Sequence, residues 1–302
     1  MDIQIAAKTD VGLVRKNNED SFVVCADLSA PDWTCHETSE PIRLGKYGSL
    51  LVVADGMGGA NAGEVASAIA VETVKALFLP ETLEKIVSNE AEIIPFLTTV
   101  IGTADTNIRN KSKEDFSTKG MGTTIVLTWI LNGKAYLSWC GDSRCYLFNE
   151  KIGYLRLSND HSYVQSLVDK GELDPEMAFD HPYSNIITQC LGDAENHANP
   201  DSRIQQLRNG DVIMLCSDGL CGYCRDNQIA DIVLENCNDV VVCRDKLVEA
   251  ALEEGGFDNV TLAVAKIFIS EEETASEEIG STLDPKNKFL GLRKFLSKHL
   301  KK

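Results

Sequence analysis

Four short apolar runs in this chain each have an aspartate at one end. LLVVAD, AYLSWCGD and VIMLCSD end on one, and DNVTLAVAKIFI begins with one. Short apolar runs bounded by glycine and aspartate are typical of buried strands. We therefore expect four strands from distant parts of the sequence to bring carboxylates to one edge of a core. The four aspartates are Asp55, Asp142, Asp218 and Asp258.

The rest of the hydrophobic pattern predicts further strands and several helices. The runs that predict strands are 3–7, 21–26, 51–54, 122–131, 134–140, 144–148, 212–217 and 259–269. The segments that predict helices are 63–79, 91–110, 226–235 and 239–254. The pair Asn132-Gly133 predicts a tight hairpin turn. The polar segment 27–47 is expected to be an excursion between strands, and 160–192 is expected to be irregular to helical. Strands in groups at both ends, with helices between them, favour an α+β fold.

The residues around the four aspartates favour a metal site over a set of structural caps. One aspartate after a strand is also a common helix cap or turn residue. Here, however, Asp55 opens the glycine-rich string DGMGG, which would let the backbone approach a ligand and expose the Gly56 carbonyl. Carboxylates gathered at one place repel each other and are costly to bury. Mg²⁺ and Mn²⁺ prefer oxygen ligands and would relieve both problems.

The charge is unevenly distributed along the 302 residues, which together carry a net −17. Residues 271–284 carry −6 and residues 285–302 carry +7, so residues 1–270 carry −18. A body this acidic repels nucleic acid, and no basic stripe with interleaved aromatic residues offsets it. We therefore expect no nucleic-acid partner. We also expect no signal peptide at the acidic N-terminus, no bilayer-spanning segment, and a cytoplasmic location.

The ten cysteines are expected to be reduced thiols rather than a disulfide framework. Several of them, such as Cys140 and Cys216, lie in apolar runs, where a free cysteine behaves as a small hydrophobic residue. Cys221 and Cys224 have CxxC spacing, which is compatible with a redox pair or with half of a zinc site. No second CxxC or histidine pair accompanies them, so a metal or redox sensor has little support.

The sequence predicts three regions: a catalytic domain at 1–270, an acidic linker at 271–284 and a basic amphipathic tail helix at 285–302. In the tail, apolar residues recur at helical spacing among lysines and arginines. Docking of this helix on the acidic body is the first interpretation. A partner-binding helix and a membrane-surface anchor are the alternatives, and the tail is the only segment that suggests contact with a membrane.

A series of motifs follows in order along residues 3–269. They are TDVGLVR (9–15), NNED (17–20), VADGMGG (53–59), AGEVAS (62–67), GTT (122–124), GDSR (141–144), DHS (160–162), the segment 181–192, GD (210–211), SDGL (217–220) and DNVT (258–261). Together they resemble the metal-dependent serine/threonine protein phosphatases of type 2C, in their bacterial form. This resemblance implies a four-layer αββα sandwich, in which two antiparallel sheets are flanked by helices on both outer faces.

The resemblance also implies a two-metal site at one end of the sandwich. Asp55 is expected to bridge both metals, and Asp218 and Asp258 are expected to complete the first. The Gly56 carbonyl would bind the second metal with the help of Asp20, although the sequence leaves Glu19 open as the alternative. The cofactors implied are two to three Mn²⁺ or Mg²⁺ ions.

Two further site residues are implied by the same resemblance. Asp142, together with Asp218, would hold a weaker third metal. Arg15 would bind the substrate phosphate, because its planar guanidinium matches two phosphate oxygens. Arg15 and Asp55 are thus the expected catalytic residues.

The implied chemistry is hydrolysis of phosphoserine and phosphothreonine by a metal-activated water. No serine, cysteine or histidine is placed as an obvious covalent nucleophile. A water between two cations loses its proton more readily and can attack phosphorus in line, while the metals and Arg15 offset the phosphoryl charge.

Three positions bear on how far this chain follows the family's pattern. Met57, where many eukaryotic relatives have histidine, cannot donate a proton, so the general acid is left open between a metal-bound water and a side chain. The motif DHS (160–162) and the segment 181–192 bracket the region that the resemblance identifies as the family's flap. A role in the fold, next to this flap, is favoured for His161. Gln189 stands where bacterial relatives often have arginine, and this difference is expected to alter contacts in the flap and substrate preference.

The alternative function is a catalytically silent phosphate-binding or scaffold protein on the same fold. Silent relatives would be expected to lack metal ligands, whereas all the expected ligands and Arg15 are present here. The expected partners are phosphoserine and phosphothreonine proteins, as targets of a serine/threonine kinase, and a monomer is expected. The sequence does not identify the physiological substrate.

Overall fold

Two antiparallel sheets, stacked face to face, form the centre of the protein. The computed structural model describes residues 1–58 and 62–270. One sheet has six strands in the order β10-β9-β12-β13-β1-β3, and the other has five in the order β11-β8-β7-β4-β2. The strands are β1 Asp2–Asp10, β2 Ser21–Cys25, β3 Ile42–Arg43, β4 Ser49–Ala54, β5 Gly56–Met57, β6 Gly122–Thr123, β7 Ile125–Leu131, β8 Lys134–Cys140, β9 Arg144–Asn149, β10 Gly153–Arg156, β11 Asp201–Gln206, β12 Val212–Cys216 and β13 Val260–Phe268.

The central strands are continuous apolar runs because both of their faces are buried. In β4 all six positions are buried. Leu51 and Val53 point into the core between the two sheets, whereas Leu50 and Val52 point into the core between this sheet and its helices. Alternate residues of a strand face opposite sides of a sheet, so a strand covered on both sides must be apolar at every position.

Helices cover the outer face of each sheet and complete a four-layer αββα sandwich, as predicted. The helices are α1 Ala62–Leu77, α2 Pro80–Ile86, α3 Ile93–Glu114, α4 Tyr163–Asp169, α5 Asp218–Cys221, α6 Asp226–Asn236 and α7 Val240–Glu253. The small residues Ala66 and Ala70 of α1 lie in the same core cluster as strands β4 and β7. On the other side, Val233 of α6 and Leu247 of α7 pack in one cluster with the outer face of the six-stranded sheet.

The structure differs from the sequence-based prediction mainly at short or polar strands. The predicted strand 122–131 is divided at Thr124, which bonds to the backbone of Asp55 instead of continuing the ladder. Strand β11 was missed because its sequence, DSRIQQ, is polar and its positions are exposed or half-buried, as suits an edge strand. The hairpin predicted at Asn132-Gly133 is confirmed, since both residues have positive φ, at 49° and 73°.

The described residues contain no helix that is long and apolar enough to cross a membrane. All ten cysteines fall within these residues and are free thiols, in agreement with the sequence-based expectation. The predicted acidic linker, 271–284, and the basic tail helix, 285–302, lie outside the described residues.

A pair of glycines tests how tightly the backbone before β4 packs against the neighbouring strand β7. Gly48 and Gly171 both have φ +72°, but a Cβ on Gly48 would lie 2.0 Å from the Ile130 carbonyl oxygen, whereas one on Gly171 would meet nothing within 4 Å. Gly171→Ala should therefore cost only the left-handed backbone strain, about 1–2 kcal/mol. Gly48→Ala should cost about 1–3 kcal/mol more, as overpacking does.

Urea unfolding of both variants measures this difference directly, because the backbone strain is matched between them. Equal losses of unfolding free energy in the two variants would show that the backbone at Gly48 and Ile130 moves apart without cost, contrary to the packing described here.

Candidate metal and phosphate site

The topology of the two sheets brings the predicted aspartates to one end of the sandwich. In the five-stranded sheet, Ser21 pairs with Ala54 and Ile125 with Cys140. In the six-stranded sheet, Cys216 pairs with both Leu262 and Arg144. These pairs lie at the strand ends next to the aspartates, namely Asp20 before β2, Asp55 after β4, Asp142 after β8, Asp218 after β12 and Asp258 before β13. The predicted convergence of carboxylates at one edge is therefore found.

The electrostatics of these carboxylates reflect their burial and their closeness to one another. Burial, together with Asp20, Asp218 and Asp142, raises the pKa of Asp55 well above its usual value. Burial first, and then neighbouring carboxylates, raises the pKa of Asp20 to about 7 and that of Asp142 to about 8. Asp55 and Asp218 also share a side-chain hydrogen bond. A cluster of this kind strongly favours a positive charge in its midst.

Asp20 and Glu19, which the sequence left as alternatives, have different surroundings. The Asp20 side chain is buried, accepts a hydrogen bond of 2.8 Å from the Ser217 hydroxyl, and interacts with Asp218 and Asp258. The Glu19 carbonyl accepts from Gly56 N at 3.2 Å and from the Ser67 hydroxyl at 2.6 Å. Burial raises the pKa of the Glu19 carboxylate, on which Arg15 and Asp258 also act, so this side chain faces the edge of the cluster where Arg15 lies. The carboxylate that joins the cluster around Asp55 is therefore that of Asp20.

Gly56 lies where three backbone segments meet. A Cβ on this residue would lie 2.2 Å from the Gly63 carbonyl oxygen and 2.4 Å from the Glu19 carbonyl oxygen. Its backbone pairs with Thr123 in the short β5–β6 ladder. The glycine is required here by close packing between β5 and α1, in addition to any role that its carbonyl has toward a metal. Gly59, the last residue of the glycine-rich string, lies outside the described part, as do residues 60 and 61.

Arg15 contacts the carboxylate cluster through Asp258. One guanidinium nitrogen, Nη2, lies 2.6 Å from Asp258 Oδ2, and the Arg15 side chain is 52% exposed. This hydrogen bond with Asp258 is the main factor that raises the pKa of Arg15. Arg15 is therefore a fixed positive charge at the solvent-facing edge of the carboxylates, where an incoming anion would arrive.

The turn that carries Asp142 is held by residues on both sides of it. Arg144 makes a forked pair with Asp160, at 2.9 Å from Nε and 2.7 Å from Nη2. Burial alone would raise the pKa of Asp160, but attraction to Arg144 and Arg156 outweighs it and lowers that pKa. This largely buried ion pair fixes the 141–144 turn against the start of the flap region, and hence the position of Asp142.

His161 is used to hold the same turn. Its Nδ1 accepts a hydrogen bond from Gly141 N at 3.1 Å, and its own backbone N–H donates to the Gly141 carbonyl at 2.9 Å. Its Nε2 is buried, lies 3.4 Å from Asp201 Oδ2 and makes no hydrogen bond. Because Nδ1 is already engaged and Nε2 faces Asp201, these contacts agree with a role in the fold rather than with a general acid.

Several polar residues that support the site were not singled out from the sequence as site residues. Thr124 Oγ1 accepts from Asp55 N at 3.1 Å and bonds to Ser143 Oγ at 2.7 Å. The Asn259 amide donates to the carbonyls of Val11 and Asn17, and its oxygen accepts from Glu19 N. Asn259, Thr124, Ser143 and Ser217 belong to the motifs DNVT, GTT, GDSR and SDGL, so the motif positions were the only available signal.

The CxxC pair does not form a second site. Cys221 and Cys224 are buried in the core between the six-stranded sheet and its helices. A hydrogen bond with Cys216, together with burial, raises the pKa of Cys221 well above its usual value, and burial raises that of Cys224 to about 12. Thiols with such pKa values stay protonated and unreactive near neutral pH.

The carboxylate oxygens at this site are suitable ligands for hard divalent cations, although each carboxylate has a protein partner here. Within residues 1–58 and 62–270, no three His, Cys, Asp or Glu side chains close around a common point that would hold an ion. Instead, Asp55 bonds to Asp218, Asp20 to Ser217 and Asp258 to Arg15. Carboxylate oxygens are the ligands that Mg²⁺ and Mn²⁺ prefer, and the repulsion among these groups is what a cation would relieve.

Comparison with known proteins agrees with this chemistry. A family model described as protein phosphatase 2C matches residues 39–252. The chain is 32% identical to the serine/threonine protein phosphatase PstP of Mycobacterium tuberculosis over 266 residues, covering 88% of this chain but only 45% of that protein. It is 31% identical to the protein phosphatase PhpP of Streptococcus pneumoniae over 268 residues, covering 88% of this chain and 98% of that protein.

Comparison of the fold with solved structures indicates the same family. A crystal structure of the PstP catalytic domain in complex with two manganese ions superposes with a TM-score of 0.70 at 29% identity, covering 89% of this chain and 99% of that one. The resemblance inferred from the motifs is thus confirmed by sequence relatives and by fold. The chain belongs to the protein phosphatase 2C family.

Proposed function

We propose that this protein is an active metal-dependent phosphatase that hydrolyses phosphoserine and phosphothreonine in proteins. The observation that carries this proposal is the cluster of buried Asp20 with half-buried Asp55, Asp142 and Asp218, with Arg15 at its exposed edge. Such a cluster is unfavourable unless cations bind it. A scaffold protein would gain nothing from keeping it, which disfavours the catalytically silent alternative.

The residues proposed to hold the metals are those at the converging strand ends. Asp55 would bridge two ions, Asp218 and Asp258 would complete the first, and Asp20 with the Gly56 carbonyl would serve the second. Asp142, with Asp218, would hold a third and weaker ion. The proposed ions are two or three Mn²⁺ or Mg²⁺, in keeping with the two manganese ions in the PstP catalytic domain.

When bound, the cations supply an activated water for attack on phosphorus and offset the charge of the phosphoryl oxygens. Arg15 is proposed to bind two of those oxygens with its planar guanidinium. A cation bound at Asp258 would compete for the carboxylate that Arg15 now contacts, which would release the guanidinium for the substrate. No protein side chain is assigned as the general acid, because Met57 cannot donate a proton and His161 is engaged with Gly141.

The proposed domain division is a phosphatase domain at 1–270, an acidic linker at 271–284 and a basic tail helix at 285–302. Substrates would be proteins phosphorylated by a serine/threonine kinase, and the phosphatase would act as a monomer in the cytoplasm. The tail is not needed for the site, since every proposed ligand precedes residue 270. It is proposed to dock on the acidic body, with a partner or a membrane surface as the alternatives.

The first prediction concerns the bridging ligand. Asp55→Asn should lower Mn²⁺-dependent hydrolysis of p-nitrophenyl phosphate at least about a thousandfold, because stabilisation of several kcal/mol is lost at each ion. The variant should still unfold cooperatively, since Asp55 carries no packing role in the core between the sheets. Near-normal activity of Asp55→Asn, at saturating Mn²⁺, would rule out the two-metal proposal.

A second prediction separates phosphate binding from metal binding. Arg15→Ala should raise KM for p-nitrophenyl phosphate about tenfold or more, as loss of a charge-assisted hydrogen bond does. Mn²⁺ should bind this variant at least as tightly as wild type, because Arg15 no longer competes for Asp258. Asp142→Ala should lower kcat while two Mn²⁺ ions still bind. Steady-state kinetics and calorimetric Mn²⁺ titration of both variants are the measurements. Loss of both tight sites in Asp142→Ala would contradict the role proposed for Asp142.

A third prediction follows from the raised carboxylate pKa values. In protein stripped of divalent cations, the folded state keeps protons on Asp20 and Asp142 up to about pH 7 and 8, whereas the unfolded chain loses them near pH 4. The folded state thus binds more protons than the unfolded state, so stability falls as pH rises from 6 to 8.5. Saturating Mn²⁺ should reduce this fall, because cations then replace the protons.

Thermal unfolding at pH 6 and at pH 8.5, with EDTA or with Mn²⁺, measures the effect. Asp142→Asn provides the matched comparison: it should raise the unfolding temperature of the cation-free protein at pH 8.5 and change it little at pH 6, where Asp142 is already protonated. An identical pH dependence with EDTA and with Mn²⁺ would argue against cations at these carboxylates.

A further inference from the structure

Exposed apolar side chains are concentrated beside Arg15. Leu13 is 68% exposed, Val14 59% and Phe257 53%. Phe257 directly precedes Asp258, the residue that Arg15 contacts. Tyr223 extends this group, since its ring lies 5.7 Å from that of Phe257. We call these four residues the apolar rim.

The backbone holds the apolar rim outward by specific contacts. The N–H groups of Leu13 and Val14 both donate to the Gly256 carbonyl, at 2.8 Å and 3.3 Å. Gly12 has φ +76°, and a Cβ there would lie 2.2 Å from the Asp258 carbonyl oxygen, so only glycine fits. The two loops are therefore held together, and Leu13, Val14 and Phe257 are exposed on them. Exposed apolar side chains gathered in this way mark interaction sites.

The apolar rim is continuous with the carboxylate cluster. Phe257, whose ring Tyr223 contacts, is followed at once by Asp258, which is bonded to Arg15. Tyr223 also bonds through its backbone to Leu220, in the helix that Asp218 begins. A ligand that occupies Arg15 and the carboxylates would thus have the apolar rim along one of its sides.

We propose that the apolar rim binds apolar side chains next to the phosphorylated residue of a protein substrate, and thereby favours phosphosites flanked by residues such as leucine. This proposal rests on the phosphatase function proposed above and defines its substrate class. An extended peptide advances about 3.3–3.6 Å per residue. Residues one or two positions from a phosphate held by Arg15 would therefore pass over the neighbours of Arg15, which are Leu13, Val14 and Phe257.

Other occupants fit this surface less well. Asp10, Glu249 and Glu253 line a cleft with Leu252, and Leu252 is a close neighbour of Gly256 beside the apolar rim. These acidic groups would repel an anionic membrane surface. Four side chains also provide much less area than the roughly 800 Å² per partner that a stable dimer buries. A short peptide segment, anchored by its phosphate, needs only a few such contacts.

The test compares two phosphothreonine peptides that differ only in having leucine or serine on both sides of the phosphothreonine. Wild-type protein with Mn²⁺ should show a kcat/KM about tenfold higher for the leucine peptide, as burial of part of one or two leucine side chains gives. Leu13→Ser and Phe257→Ser should each reduce this preference to about threefold or less. Turnover of the serine peptide, which has no apolar side chain next to the phosphothreonine, should be unchanged in both variants.

Val242→Ser is the matched control, because Val242 is also exposed, at 43%, but lies on α7 outside the apolar rim. It should keep the wild-type preference. No preference in the wild type, or equal losses on both peptides in the rim variants, would overturn the proposal. So would binding of the wild type to anionic vesicles that Leu13→Ser abolishes, since the rim would then serve a membrane. Absence of Mn²⁺-dependent p-nitrophenyl phosphate hydrolysis by the wild type would instead reject the proposed phosphatase function itself.

Discussion

The apolar core between the two sheets is the interaction on which the rest of this structure depends. Side chains such as Leu51 and Leu215, from facing sheets, share one buried cluster. Burial of this kind stabilises the fold by about 25 cal/mol per Å² of apolar surface removed from water. It also fixes where the strands end. Because the ends of β4, β8, β12 and β13 lie at the same end of the sandwich, the carboxylates next to them are held together despite their repulsion.

The carboxylate cluster is thus kept in place by the fold while being unfavourable in itself. Its immediate supports are polar groups with defined partners, such as Thr124 on the backbone of Asp55 and Ser217 on the carboxylate of Asp20. The ion pair of Arg144 with Asp160 fixes the turn that carries Asp142. Such preorganised surroundings reduce the movement that is needed when ligands bind, a feature typical of metal-dependent hydrolases. The repulsion among the carboxylates raises the free energy of the folded state, and bound cations would offset it.

The fold could be predicted where buried strands and helices have a recognisable pattern of apolar residues in the sequence. Strands such as β4 and β7 are buried at every position, so their apolar runs predicted strands correctly. Strand β11 is an edge strand with polar residues, and its place beside β8 depends on backbone pairing that any sequence can make. The break at Thr124 was missed for a similar reason, since a tertiary hydrogen bond to Asp55 redirects the backbone there.

The sequence by itself determined the class of the fold, the family and the aspartates that gather at one end, because apolar runs and motif residues are local features. Only the tertiary structure decided which neighbour each group meets. It brings the Asp20 carboxylate, and not that of Glu19, beside Asp55, and it engages the Nδ1 of His161 with Gly141. It also leaves Leu13 and Phe257 exposed next to Arg15. These outcomes depend on contacts between residues as far apart as Gly12 and Asp258, and no local pattern encodes such contacts.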